Sequence, residues 1–267
     1  MSIMPQLAAI RDHMEYVFLL FIRVSGLLIS SPIFGRKNIP NVAKIGFCAV
    51  LTVVFMAALP EPAVYPVYNS LPAYVLTVIR ELAFGVAMGF VLTAIFNLTM
   101  TAGAIMDYQI GYSMASIYDY QNNSQTPISG SLFNIMMLIL FLMYDGHLKL
   151  IEIIFKTVTA IPIGTVMVPP DILLVAAEVM TRAFILSVMV AMPVLAAGLM
   201  LEIALGAMIK TVPQMNMFVV GIPIKIIIGL LVMLMTFSLF VNFTKDIFNV
   251  MFNYIGALFD RFAGAAG

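Results

Sequence analysis

Residues 107–130 read DYQIGYSMASIYDYQNNSQTPISG, the longest polar interruption in a chain that is otherwise strongly apolar. The stretch holds two carboxylates (Asp107 and Asp119), four tyrosines and a run of amides and hydroxyls from Gln121 to Thr126, with no lysine or arginine. A connection this long and without periodicity is more often functional or disordered than a simple link. One reading is a solvated loop on a membrane surface. The other is a plug or constriction in a pore, because tyrosines and small residues pack moderately well and can be displaced without stripping a charge cluster from water. The residues of the stretch leave both open.

Outside it, the chain has a membrane composition. Of 267 residues, 63% are apolar and 10% are charged, against about 25% charged in soluble domains. Thirteen basic and thirteen acidic side chains cancel, so no long-range field favours nucleic acid or an acidic ligand. Cys48 is the single cysteine and sits in an apolar run, which excludes an internal disulfide and suits a small buried hydrophobe. The 22 methionines suit adaptable packing. Arg23 interrupts the first apolar run and no small-x-small cleavage site follows, so the first helix is expected to stay in the mature protein.

Going outward from the polar stretch, apolar helical segments are expected at residues 14–31, 42–59, 71–106, 132–144, 148–161, 172–201, 217–243 and 247–262. Ser31-Pro32-Ile33-Phe34-Gly35 ends the first. Arg36, Lys37 and Lys44 crowd the next connection, and this basic cluster belongs on the cytoplasmic side by the positive-inside rule. Pro60, Pro62, Pro66 and Pro72 stiffen the following connection. Gly85, Gly89 and Gly103 offer small surfaces for close helix contact. At 1.5 Å per residue, segments 132–144 and 148–161 fall short of the ~30 Å hydrocarbon core. Joined by Asp145-Gly146-His147, they suggest a helical hairpin buried in protein. Asp171 is a candidate N-cap, and Pro193 is expected to kink its helix. The fold class is an all-α membrane protein with helical hairpins and kinked or half-length helices.

Four charges do not suit lipid. Arg23, Glu178, Arg182 and Lys225 lie within apolar runs, where each costs about 2.5–3.5 kcal/mol at a helix centre. Glu178 and Arg182 stand at i,i+4, the favourable order for a helical ion pair; Arg23 and Lys225 have no neighbour of opposite sign. Such groups face a wet path or pair across subunit boundaries, and we expect all four at subunit interfaces.

Marks of catalysis are scarce. His13 and His147 have no zinc spacing, and there is neither a Gly-x-Ser-x-Gly elbow nor a phosphate loop. No catalytic residue, metal ligand or cofactor is expected. Asp107 with Asp145 resembles an aspartyl pair only faintly. A transporter with helices unwound at Pro193 and at Gly221-Ile222-Pro223 is the main rival to a pore subunit.

Five stretches together resemble the FliR family, the R subunit of the flagellar type III export gate (SctT in injectisomes). They are Ser31-Pro32-Ile33-Phe34-Gly35 with Ile39-Pro40; Gln109-Ile110-Gly111-Tyr112-Ser113-Met114-Ala115; Asp145-Gly146-His147; Pro213-Gln214-Met215-Asn216-Met217-Phe218; and Gly221-Ile222-Pro223-Ile224-Lys225. They follow the family order over nearly the whole chain, and the last has a form closer to flagellar than to injectisome members. One departure is Asp119-Tyr120, where the family often has Asp-Pro. The resemblance implies a non-enzymatic subunit of a bacterial inner-membrane pore in the flagellar basal body. Its implied partners are P-type and Q-type subunits around one R copy, FlhB and FlhA, membrane lipid, and the unfolded flagellar proteins that pass outward. Residues 1–170 would resemble a P subunit and residues 171–267 a Q-type hairpin. The plug would fall on Ile110, Gly111, Tyr112, Ser113, Met114, Ala115, Ser116 and Ile117.

Overall fold

In the computed structural model of the chain the described residues are 13–59, 66, 68, 70–112, 126–212 and 217–266. They form seven helices: α1 (Met14–Ser30), α2 (Asn41–Ala58), α3 (Leu71–Ile110), α4 (Ile128–Met143), α5 (Gly146–Ala160), α6 (Ile172–Thr211) and α7 (Met217–Ala266). No strand occurs among the described residues. Four helices, α2, α3, α6 and α7, are long and apolar enough to cross a membrane, and the bent pair α4–α5 adds a fifth crossing if it is one broken span.

The helix boundaries depart from the sequence pattern in several places: α4 starts four residues early, at Ile128, and α6 continues past 201 to Thr211. α3 runs past Met106 to Ile110, because Asp107 and Gln109 find partners inside the protein, described below. The helix stops at Gly111, which takes a left-handed φ of 98° while its N–H donates to the Asp107 carbonyl at 3.0 Å. Glycine enters that conformation without a Cβ penalty. The expected break between 243 and 247 is absent: α7 is continuous for 50 residues. Thr244 donates its hydroxyl to Phe240 O at 2.7 Å, back along the helix, and Lys245 lies over the Tyr144 ring, 5.5 Å from its centroid. Polar side chains with such partners no longer interrupt a span.

The described chain divides into two compact units. The first comprises Met1–Ala94, Asp145–Val179 and Met251–Gly267; the second comprises Ile95–Tyr144 and Met180–Val250. In the first, α1 buries Leu19, Leu20, Val24, Leu27 and Leu28. It meets α3 where glycine faces glycine: a Cβ on Gly85 would lie 2.6 Å from the Arg23 carbonyl oxygen and 3.0 Å from the Gly26 Cα. Thr93 reinforces the seam by donating to Ser30 O at 2.5 Å. In the second unit, Phe96, Phe141 and Phe248 form one aromatic cluster, and Phe133 packs against Phe237 and Phe240. Gly103 and Gly130 let α3 and α4 approach so closely that a Cβ on Gly103 would overlap the Gly130 backbone.

Much apolar surface is not covered by the chain itself. Only 17% of α2 and 22% of the apolar window of α7 are buried. Surfaces of this kind need lipid or other protein against them.

Candidate functional site

The polar stretch is fastened at both its ends. Asp107, in the last turn of α3, is buried and accepts hydrogen bonds from the Ser129 N–H, at 3.3 Å to each carboxylate oxygen, and from the Ser129 hydroxyl. Ser129 lies in the first turn of α4, whose N-cap is Pro127 and supplies no side-chain acceptor. A carboxylate satisfies the free N–H groups of a helix start and complements its dipole. Asp107 therefore caps α4 from another helix, and it brings residues 107 and 129 together across the stretch between them.

Next to Asp107, Gln109 and Ile110 are seated by two glycines. Gln109 is buried, and its amide donates to Glu202 Oε1 at 3.4 Å. That same oxygen accepts from Lys225 Nζ at 2.6 Å. Gly198, one helical turn before Glu202 on α6, leaves the space that the Gln109 side chain fills, and a Cβ there would overlap it. Gly229, one turn after Lys225 on α7, does the same for Ile110, whose Cγ1 would lie 2.7 Å from an added Cβ. Residues at i and i+4 share a helix face. Each of these two helices therefore presents a paired set, one small residue to make room and one charge to hold.

Of the plug residues expected from the sequence, Ile110 is the last residue of α3 and is buried, and Gly111 and Tyr112 form the turn after it. Ser113, Met114, Ala115, Ser116 and Ile117 lie outside the described residues, as does the stretch Pro213-Gln214-Met215-Asn216.

The four charges within apolar runs have separate fates. Arg23, expected at a subunit boundary, is instead buried within the first unit at 1% exposure against Glu81 at 0%. Its Nε donates to Glu81 Oε2 at 2.6 Å and its Nη2 to Oε1 at 3.0 Å, a two-pronged pairing. The remaining nitrogen, Nη1, donates to Thr157 O at 3.1 Å and Ile161 O at 2.8 Å. Those carbonyls close α5, so a cation also meets the negative end of a helix. Glu81 Oε1 accepts further from the Gly164 N–H at 2.8 Å, and Phe84 places its ring 5.1 Å from the guanidinium carbon. Full internal satisfaction is why Arg23 tolerates this position.

Lys225 likewise has a partner in the chain, Glu202, but this pair is partly open: 23% and 45% of the two side chains are exposed. The i,i+4 pair of Glu178 with Arg182 is not formed. Glu178 accepts from the Tyr254 hydroxyl at 3.3 Å, and Arg182 is half-buried without an ion pair among the described residues. Asp171 pairs with Arg261 of α7.

Both carboxylates of the faint protease pattern have structural work. Asp107 caps α4, and Asp145 takes the left-handed turn (φ 54°) that precedes α5. Both prolines on which the transporter reading relied, Pro193 and Pro223, lie inside continuous helix, so the unwound segments that reading needs are missing there. What the second unit offers is mechanical: three helices hold the start of a long polar segment by one cap, one bridged carboxylate and two close approaches.

The family model described as "Bacterial export proteins, family 1" matches residues 14–251. Curated relatives cover nearly the whole length. The Flagellar biosynthetic protein FliR of Bacillus subtilis (strain 168) is 27% identical over 245 residues, covering 91% of this chain and 93% of the relative. The protein of the same name from Escherichia coli (strain K12) is 28% identical over 234 residues, 88% of each. That from Aquifex aeolicus (strain VF5) is 25% identical over 247 residues, covering 90% and 93%.

Proposed function

Because this chain belongs to the bacterial export proteins of family 1, we propose that it is the R-type subunit of a flagellar type III protein export gate. In this reading one copy joins P-type and Q-type subunits, with FlhB and FlhA alongside, in the inner membrane at the flagellar basal body. The assembly passes unfolded flagellar proteins outward, and the chain needs no catalysis of its own. Residues 1–170 take the place of a P-like part and residues 171–267 that of a Q-like hairpin. Glu178, Arg182 and Lys225 contribute charge at subunit contacts; Arg23 does not.

Family membership over residues 14–251 is the observation that carries this reading. The seat around Gln109 and Ile110 supports its finer part, that residues 110–117 help to close the pore. A closing segment must be anchored where it leaves the wall. Here the anchor is a buried amide on a carboxylate already neutralised by a lysine, together with an apolar side chain docked over glycine.

Removal of the gene with complementation tests the proposal. The deletion strain should make no filament and not swim, while the chain restored in trans should recover both and co-purify with P-type and Q-type subunits. A motile deletion strain, or a chain that purifies without them, would refute it.

A further inference from the structure

The first unit carries a second feature, which the pore reading does not use. A cavity of about 130 Å³ opens where α1 ends and α2 begins. Its wall is apolar, with Ile29, Phe34, Ile39, Ala43 and Phe47 among the lining residues and Lys44 the one charged group. Phe34 and Phe47 stack at 5.3 Å along it. The mouth is at the surface, since Ile29 and Phe47 are both exposed.

The stretch of chain that forms that mouth carries charge of one sign. Arg36, Lys37 and Lys44 fall within nine residues, and no Asp or Glu occurs from residue 16 to residue 60. Lys44 donates one hydrogen bond, to Gly35 O at 3.0 Å, which leaves an ammonium with two further donors. It stands in the first turn of α2, where the helix dipole adds positive potential and no acidic residue offsets it. Lysine and arginine concentrated in a short connection mark the cytoplasmic face, which is the leaflet with a negative surface potential from anionic lipid. An apolar slot with a cation at its lip, opening beside a span that the chain leaves uncovered, has the two halves of a phospholipid site.

We propose that this groove binds an anionic phospholipid of the cytoplasmic leaflet, with an acyl chain in the cavity between Phe34, Ala43 and Phe47 and the phosphate on Lys44 and the neighbouring basic residues. The inference is independent of the pore reading.

The test uses the full chain extracted from its membrane in mild detergent, with whatever subunits accompany it, and a photoreactive phosphatidylglycerol whose label is near the end of an acyl chain. Labelling should fall on the peptide that carries residues 28–48, and unlabelled phosphatidylglycerol should compete where phosphatidylcholine does not. Lys44→Gln should weaken retention about fivefold, the factor that corresponds to ~1 kcal/mol per basic residue near an anionic surface, and Lys44→Arg should keep it. Ala43→Phe, which fills the cavity from an exposed position, should abolish labelling of this peptide. Equal competition by phosphatidylcholine in the unaltered protein would overturn the proposal without recourse to any variant. So would labelling that persists in Ala43→Phe, or a partner subunit found cross-linked to a photoreactive residue at position 47 in place of lipid.

Discussion

Arg23 and Glu81 illustrate how a charge comes to sit in the middle of an apolar helix. A buried pair need not add to stability, but removing one partner strands the other, at a cost of about 3–5 kcal/mol. Arg23→Ala should therefore lower the thermal midpoint of the purified complex sharply and reduce its yield, since Glu81, Thr157 O and Ile161 O all lose a donor. Glu81→Gln should cost as much or nearly so, because an amide cannot compensate the guanidinium charge. A small change in either melting profile would show that water reaches the pair. The sequence makes Arg23 conspicuous, but its acceptor lies 58 residues away on another helix. Only a count of unmatched charges across all spans would have linked Arg23 to Glu81, and nothing local points to the α5 carbonyls.

At the scale of elements, the junction where α3, α4, α6 and α7 hold the polar stretch makes the sharpest predictions. Gly198→Val and Gly229→Val each add side-chain bulk where Gln109 and Ile110 already lie, so both should unseat the stretch while the helices themselves persist. The expected result is an assembled complex with raised resting ion permeability, read as a fall in membrane potential; an unchanged potential in both would remove the seat. Lys225→Ala acts differently. An ion pair this exposed is worth ~0.2–1 kcal/mol, so global stability should hardly move, while Glu202, without its cation, should hold Gln109 less well. Lys225→Arg should behave as the parent in the same assay. Part of this was legible beforehand. Gln109-Ile110-Gly111 stood out as a motif, and Gly111 is an ordinary helix stop. The roles of Gly198, Glu202 and Gly229 were not, because a glycine in an apolar run looks the same whether it faces lipid, another helix or a docked side chain. The unbroken α7 was missed for a related reason: Thr244 and Lys245 interrupt the hydropathy, yet their partners are supplied by Phe240 O and the Tyr144 ring.

For the molecule as a whole, the all-helical class and the family could be read from composition and from motifs in order; the number of helices could not, because α7 joins two of the expected segments. Compact units could not, because α3, α6 and α7 each run through both and chain order hides that exchange. With α2 and α7 so sparsely covered by the chain's own residues, the protein expressed by itself in detergent should be short-lived or aggregated. Co-expression with P-type and Q-type subunits should give a monodisperse species, which size-exclusion chromatography would show. Closure of the gate by residues 110–117 is the proposal that most needs a test. Its most direct measurement is the conductance of the purified, assembled complex in a planar bilayer, with that segment present and with it deleted. A plug at 110–117 should give a silent complex when the segment is present and sustained ion current, with unchanged subunit composition, when it is absent. Equal conductance in the two would contradict it.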